Sequence, residues 1–220
     1  MHTDIDLKVL YFGTPVVLLS TLNADGSPNL APMSSAWWLG SSCLLGMGGA
    51  SRTAANLLRE REVVVNLVPS TLVDAVDRLA LLTGEPDVPP HKRARGYTFE
   101  ADKFAAAGLT AQESALVAPP RVLECPIQLE GRVGPAHPIG EDAHAWAFEV
   151  EVVRVHVEER LLLPGTAYVD PERWDPLLMK FCEYYGGATN VRDSSLARGW
   201  QMPHARPVDD AGADADEAVA

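Results

Sequence analysis

The stretch that decides the fold begins at residue 14 and reads TPVVLLSTLNADGSPNLAPMSSAWW (14–38). Its first nine residues, 14–22, are mostly apolar and rich in β-formers, which predicts a strand. The turn Asn23-Ala24-Asp25-Gly26 follows. Asparagine and Asp-Gly adopt positive φ at low cost, so we expect a hairpin here. The return strand is predicted over 27–35, and a further strand over 42–47.

Helical spacing appears next, in SRTAANLLRE at 51–60. Either Ser51 or Thr53 can cap this helix by accepting hydrogen bonds from its first N–H groups. The run EVVVNLV at 62–68 predicts a return to a strand, and 70–83 predicts a second helix.

The stretch 84–120 is irregular and rich in proline and glycine, with a short helix predicted inside FEADKFAAAGL. It contains too few apolar residues to build a core of its own. We therefore interpret it as a long insertion into one domain, which is usually either functional or disordered.

Two strongly alternating runs, 121–133 and 145–157, predict long strands, with a register shift between Val152 and Val155 in the second. A helical piece is expected around 177–185. Strands dominate and pair as hairpins, so the chain is predicted to be mainly β with inserted helices, an antiparallel barrel or sandwich. The glycine-rich run at 46–49 lacks the spacing of a dinucleotide-binding turn, which disfavours a Rossmann domain.

Composition narrows the functional classes. The net charge is −12, which argues against nucleic-acid binding. No apolar run approaches a membrane span, and no secretory signal is recognisable, so we expect a cytoplasmic protein. The cysteines Cys43, Cys125 and Cys182 offer no metal-binding spacing and are expected to be buried free thiols.

Two segments carry candidate chemistry. The start of the helix at 51 offers free N–H groups and a partial positive charge, to which Ser51, Thr53 and Arg52 add donors suited to a phosphate. The alternative is a plain capped surface helix. The run Ser34-Ser35-Ala36-Trp37-Trp38 combines hydroxyls with aromatic rings, as a flat aromatic ligand requires. Here the alternative is that both tryptophans lie in the core or in a dimer interface.

The ordered set PVVLLSTLNADGSPNLAPMSSAWW (15–38) and SRTAANLLREREVVVNLV (51–68) resembles the FMN-binding split-barrel flavin reductase family, which includes the flavoredoxins. The resemblance covers about residues 8–160 and implies an antiparallel split β-barrel that binds FMN. It implies that Ser34, Ser35 and Ala36 lie along the flavin with Met33 near the ring. The same resemblance implies a phosphate site, made by Ser51, Arg52 and Thr53 with support from Asn56.

One element departs from the family pattern. Many members carry Gly-Asp-His before the last long strand, near the nicotinamide, whereas this chain has Gly140-Glu141-Asp142-Ala143-His144. His144 is therefore a candidate for the reduced-cofactor site, and the alternative is a surface-loop histidine. The basic cluster at 91–95, HKRAR, either meets a phosphate of FMN or NADPH or is a solvated loop, and we favour the loop.

The family implies a homodimer with FMN at the subunit interface. We divide the chain into a split-barrel domain at 1–165, a helical and aromatic covering segment at 166–203, and an acidic disordered tail at 204–220. The leading functional hypothesis is an FMN-dependent oxidoreductase that passes electrons from NADH or NADPH to a flavin, a partner monooxygenase or a small molecule. The alternatives are an FMN oxidase or other flavoenzyme acting directly on an organic substrate, and a non-catalytic flavin-binding electron carrier.

Overall fold

The predicted hairpin at the start of the domain is present in the computed structural model, which describes residues 1–140 and 144–204. Strand β2 (Val17–Leu22) pairs with β3 (Pro28–Met33), and the turn between them is closed by a hydrogen bond from the Gly26 N–H to the Asn23 carbonyl. Gly26 has a φ of +82°, the conformation for which the Asp-Gly pair was expected.

Most of the remaining strands follow the predicted order. They are β1 (Thr14–Pro15), β4 (Ala36–Leu39), β5 (Ser42–Gly48), β6 (Glu62–Leu67), β7 (Leu82–Thr83), β8 (Thr98–Phe99), β9 (Ala111–Gln112), β10 (Arg121–Val122), β11 (Ile127–Ile139), β12 (Ala145–Val157), β13 (Leu178–Lys180) and β14 (Glu183–Tyr185). The helices are α1 (Arg52–Glu60), α2 (Val73–Ala80), α3 (Pro90–Arg93), α4 (Lys103–Ala107) and α5 (Ser195–Gly199), with 3-10 turns at Ser70–Leu72 and Glu159–Leu161.

A seven-stranded antiparallel sheet in the order β3-β2-β6-β11-β12-β5-β4 forms the body of the fold. Its two edge strands, β3 and β4, are consecutive in the chain and are separated only by Ser34 and Ser35. The sheet must therefore curl until its edges meet, although β3 and β4 form no ladder with each other. The result is an antiparallel barrel that stays open along one seam, the split barrel that the family resemblance implies.

Alternation along the strands separates two cores. Val17 and Leu19 of β2 point into the barrel, where they join Leu57 of α1 and Phe148 of β12. Leu18, between them, points to the opposite face, where the second core contains residues of α2, α4 and the C-terminal segment. Helix α1 therefore packs against the first core through Ala54 and Leu57, and this packing fixes where its N-terminus lies.

The insertion at 84–120 contributes to the second core. Its residues Phe104, Ala107 and Leu109 are buried in this core, although the segment is too poor in apolar residues to form a core alone. The chain directly after the insertion is held by buried Asn66 of β6, whose side-chain oxygen accepts the Val122 N–H at 2.8 Å.

The predicted register shift in β12 is confirmed, since Val152 pairs with Gly131 and Arg154 with Glu130, which leaves Val153 as the extra residue.

The helix predicted around 177–185 is wrong. This stretch forms the hairpin β13–β14, whose turn residues Phe181 and Cys182 have φ of 49° and 67°. The physical reason is strand pairing, because β13 pairs with β1. In this extended segment Leu177 and Met179 both point towards the second core. Cys182 lies in this turn and is exposed, so the expectation that it is buried is wrong. Cys43 and Cys125 are buried free thiols, as expected.

No helix among residues 1–140 and 144–204 is long and apolar enough to cross a membrane. The acidic tail expected at 204–220 lies almost wholly outside the described residues, as do Glu141, Asp142 and Ala143 of the departing family element.

Candidate functional site

The N-terminus of α1 is built from the glycines that end β5 and from a serine cap. Ser51 is the cap, and its hydroxyl accepts the Ala54 N–H at 3.1 Å. The first N–H groups of the helix have no acceptor within it, so they face the space before the helix. Gly49 allows the close approach of β12, because a Cβ there would lie 2.9 Å from the Trp146 indole.

Behind this helix start lies a buried polar cluster that joins α1 to the first hairpin. The Asn29 side-chain nitrogen donates to the hydroxyls of Thr21 at 3.1 Å and Thr53 at 3.3 Å. Asn56, one turn along α1, donates to Thr21 at 3.0 Å and to the Asn23 side chain at 3.1 Å. These contacts hold the helix start and the hairpin in a fixed relation.

A lysine from the insertion completes the cluster. Lys103, the first residue of α4, is only 4% exposed, and its ammonium donates to the side-chain oxygen of Asn29 at 3.1 Å. Within the described part of the chain no carboxylate lies at ion-pair distance from it. Burial lowers the pKa of Lys103 to about 8, and the charges of Lys92 and Arg52 contribute in the same direction. An ammonium so placed is suited to an anion, because a buried charge is costly unless it is paired.

Arg52 points from the same helix turn towards the start of the insertion. Its Nε donates to the Gly84 carbonyl at 3.1 Å, and its Nη2 lies 3.0 Å from a carboxylate oxygen of Glu85. Gly84 sits close to the polar cluster, since a Cβ there would lie 2.7 Å from the Asn29 oxygen and 3.1 Å from Cγ of Arg52. A larger residue at 84 would therefore displace either Asn29 or the insertion.

A cavity of about 240 Å³ opens at this junction. The hairpin turn, the start of α1 and two stretches of the insertion enclose it. Its lining residues are Asn23, Ala24, Asp25, Ser27, Asn29, Arg52, Gly84, Pro86, Phe99, Glu100 and Ala101.

The residues predicted to lie along a flat ligand occupy the seam of the barrel. Met33 ends β3, Ser34 and Ser35 cross to the other edge of the sheet, and buried Ala36 begins β4. The Ser35 carbonyl accepts the Gly46 N–H at 2.8 Å, which fixes the crossing against β5. At about 3.3 Å per residue, Met33 lies roughly 13 Å along β3 from Asn29. The residues predicted for the ring and those predicted for the phosphate thus lie near opposite ends of β3.

The sequence predicts Ser51, Arg52, Thr53 and Asn56 as one group, and the structure places them at the N-cap and in the first turn and a half of α1. It did not predict Lys103, which comes from a different part of the chain. The available signal was a lysine directly before Phe104 in an otherwise apolar helical stretch. Lysine is rarely buried unless it is paired, so a lysine in this stretch indicates a polar or charged partner.

The two remaining candidates, His144 and the basic cluster at 91–95, lie at the edges of this region. His144 is exposed, but its carbonyl accepts the Gly49 N–H at 2.8 Å, which places its backbone beside the glycines before α1. The basic cluster at 91–95 is mostly exposed and includes most of α3. Its Lys92 lies 5.9 Å from the centre of the Tyr97 ring.

Comparison with known proteins gives a consistent result. Residues 9–186 match the family described as a flavin reductase like domain. The protein YdfE of Bacillus subtilis (strain 168) is 37% identical over 183 residues, which are 83% of this chain and 88% of that protein. Flavoredoxin of Desulfovibrio vulgaris (Miyazaki F) has a TM-score of 0.72 at 22% identity, covering 90% of this chain and 100% of the other. Nitrilotriacetate monooxygenase component B from Bacillus cereus has a TM-score of 0.68 at 21% identity, covering 82% and 88%.

The split barrel with a polar helix start at its seam is thus the fold of a flavoprotein of the oxidoreductase class. The chain belongs to the flavin reductase-like family.

Proposed function

We propose that this chain binds FMN and passes electrons from NADH or NADPH through it to a free flavin, a partner oxygenase or a small molecule. The observation that carries the FMN assignment is the buried Lys103 ammonium, whose described partner is only the neutral Asn29 amide. A phosphate is the part of FMN that such an ammonium suits.

The donors around Lys103 fit a phosphate. The Thr53 hydroxyl accepts from Asn29 and the Ser51 hydroxyl accepts from Ala54, and neither donates to another of the described residues, so both protons can be donated to a phosphate. The first N–H groups of α1 and the partial positive charge of the helix start add to these. Together they form a set of donors with a cation, as a phosphate requires.

The seam of the barrel would then receive the ring. Met33, Ser34 and Ser35 are partly buried, so they offer apolar surface and hydroxyls without being closed off. The distance of roughly 13 Å along β3 between Met33 and Asn29 leaves room for a ribityl chain between the ring and the phosphate.

Bound FMN would supply the redox chemistry, and the chain supplies position, electrostatics and exclusion of water. Asn29 and Asn56 fix the helix start against the hairpin and so orient the donors. The use of a nicotinamide rests on family membership. A partner oxygenase is suggested by the name of the similar Bacillus cereus protein, a monooxygenase component.

We further propose a homodimer with FMN at the subunit interface. Strand β4 is an edge of the sheet, and two of its large apolar side chains are exposed, Trp37 at 53% and Leu39 at 73%. An edge strand with exposed apolar residues is a surface that proteins usually cover. Because β4 follows Ser35 directly, a partner subunit there would lie beside the proposed ring site.

The purified protein tests this proposal. We expect oxidised-flavin absorbance, with FMN released on denaturation, and oxidation of NADH or NADPH when FMN is in excess. Absence of flavin, together with no binding of added FMN, would refute the cofactor assignment. Bound FMN that neither nicotinamide reduces would refute the reductase. Bleaching by an organic substrate would then indicate a direct flavoenzyme, and its absence an electron carrier.

A further inference from the structure

The guanidinium of Arg52 already holds a negative charge from its own chain. Its Nη2 lies 3.0 Å from Glu85 Oε2, and both side chains are partly buried, with 25% and 34% of their surface exposed. At such exposure the attraction is stronger than between fully solvated charges. Glu85 therefore already accepts from Nη2 of the Arg52 guanidinium, the cation that the proposed phosphate would approach.

The position of Glu85 is fixed independently of its charge. The Glu85 N–H donates to the Thr83 hydroxyl at 3.2 Å, and the preceding residue, Gly84, binds Arg52 Nε through its carbonyl. Packing of Gly84 against Asn29 ties this corner of the insertion to the polar cluster. The carboxylate is thus brought to Arg52 by the backbone of the insertion.

We propose that Glu85 is a specificity-determining residue, an internal carboxylate that competes with the ligand phosphate for Arg52 and so limits how tightly the site binds phosphorylated flavin. The inference rests on the proposed FMN site and adds to it the residue that sets its phosphate affinity. Glu85 and a phosphate are like charges on one guanidinium, so each weakens the binding of the other. Riboflavin, which has the same ring and ribityl chain but no phosphate, does not compete with Glu85.

The variant Glu85→Gln isolates the charge. Glutamine keeps the length and an acceptor oxygen for Arg52, and the backbone contacts of Gly84 and Glu85 do not involve the side chain. A role limited to positioning Arg52 would therefore be largely retained, whereas competition with phosphate would be lost. A matched control is Glu60→Gln, which removes the carboxylate of the Arg59–Glu60 pair at the other end of α1.

The experiment is a titration of the flavin-free protein with FMN and, separately, with riboflavin, followed by flavin fluorescence at low and high salt. For Glu85→Gln we expect FMN affinity to rise about threefold to tenfold, with riboflavin affinity unchanged and a smaller gain at high salt. Glu60→Gln should match the wild type with both ligands. Unchanged or weaker FMN binding in Glu85→Gln would overturn the inference.

A double variant, Arg52→Ala with Thr53→Ala, separates this result from the proposed function. If the double variant loses FMN affinity and keeps riboflavin affinity, the phosphate site stands, and the outcome for Glu85→Gln decides the inference alone. If the double variant binds FMN as well as the wild type does, the phosphate site itself is misplaced and both proposals fail.

Discussion

The ammonium of Lys103 lies 3.1 Å from the side-chain oxygen of Asn29, and the amide nitrogen of the same asparagine lies 3.3 Å from the hydroxyl of Thr53. Asn29 thus joins the insertion to the start of α1, because its side-chain oxygen binds Lys103 and its side-chain nitrogen binds Thr53. This relationship places a buried cation from the insertion beside a helix start whose N–H groups face outwards, and every prediction about the phosphate depends on it.

Replacing Lys103 by methionine tests the cation directly. We expect FMN affinity to fall about 10- to 100-fold, since a hydrogen bond to a charged group contributes about 1.5–3 kcal/mol, while riboflavin affinity stays within about twofold. Stability should be unchanged or higher, because the variant no longer buries a charge. Fluorescence titration and urea unfolding measure the two effects, with Lys180→Met as the control. An equal loss for riboflavin would indicate a collapsed site.

FMN affinity should fall as the pH rises through about 8. The pKa of Lys103 is lowered to about 8 by burial, so the free protein loses this positive charge above that pH. Below it, Lys103 is charged and attracts the phosphate. A bound phosphate favours the charged form and raises the pKa in the complex, so the affinity falls from about pH 8 and levels off above that higher pKa. Titrations from pH 6.5 to 9.5 should show the decline in the wild type and a flatter profile in Lys103→Met. Identical profiles in the two proteins would contradict this role for the lysine.

Gly84→Ala should damage the site by its methyl group alone. The new Cβ would lie 2.7 Å from the Asn29 oxygen, so the asparagine or the insertion must move. We expect a loss of about 1–3 kcal/mol in the free energy of unfolding, as in other overpacked sites, and weaker FMN binding. Gly199→Ala is the control, because nothing lies within 4 Å of a Cβ there. Wild-type affinity and stability in Gly84→Ala would show that this contact does not shape the site.

Glu130 is expected to be a stabilising residue away from the flavin site. Its buried carboxylate accepts the N–H groups of Ala115 at 2.8 Å and Leu116 at 2.6 Å, and it lies 2.6 Å from His156 Nε2. Burial acts to raise the pKa of Glu130, but these hydrogen bonds and the charge of His156 outweigh it, and the net pKa is lowered.

Glu130→Gln should therefore lower the free energy of unfolding by about 1.5–3 kcal/mol at pH 7. A lowered acid pKa contributes stability above the unfolded value, near 4.5, and loses it as the pH falls through the folded pKa. The difference between wild type and variant should consequently shrink at acid pH. Urea unfolding at pH 7 and pH 3.5 measures it, and a difference that does not depend on pH would contradict the assignment.

Local chemistry made the first half of the fold predictable. The Asp25-Gly26 turn, the Ser51 cap and the valine run of β6 each depend on neighbouring residues, so the hairpin, α1 and the following strand could be predicted from the sequence. The C-terminal hairpin could not, because β13 exists only through its pairing with β1, far away in the chain. Local spacing around Leu177 favoured a helix, and tertiary pairing overrode it.

The candidate site divides in the same way. Ser51, Arg52, Thr53 and Asn56 lie within six residues, and one helix start brings them together. Lys103 reaches Asn29 across 74 residues, through an insertion whose path no local pattern specifies. The ion pair between Arg52 and Glu85 could not be predicted for the same reason, since it depends on where Gly84 packs.

The most direct test of the central claim is the ratio of the dissociation constants of riboflavin and FMN for the wild-type protein at pH 7. If the phosphate lies at Lys103 and the start of α1, FMN should bind at least about 100-fold more tightly than riboflavin, since two or more charged hydrogen bonds depend on the phosphate. Equal affinity for the two flavins would show that the phosphate makes no such contact and would contradict the account.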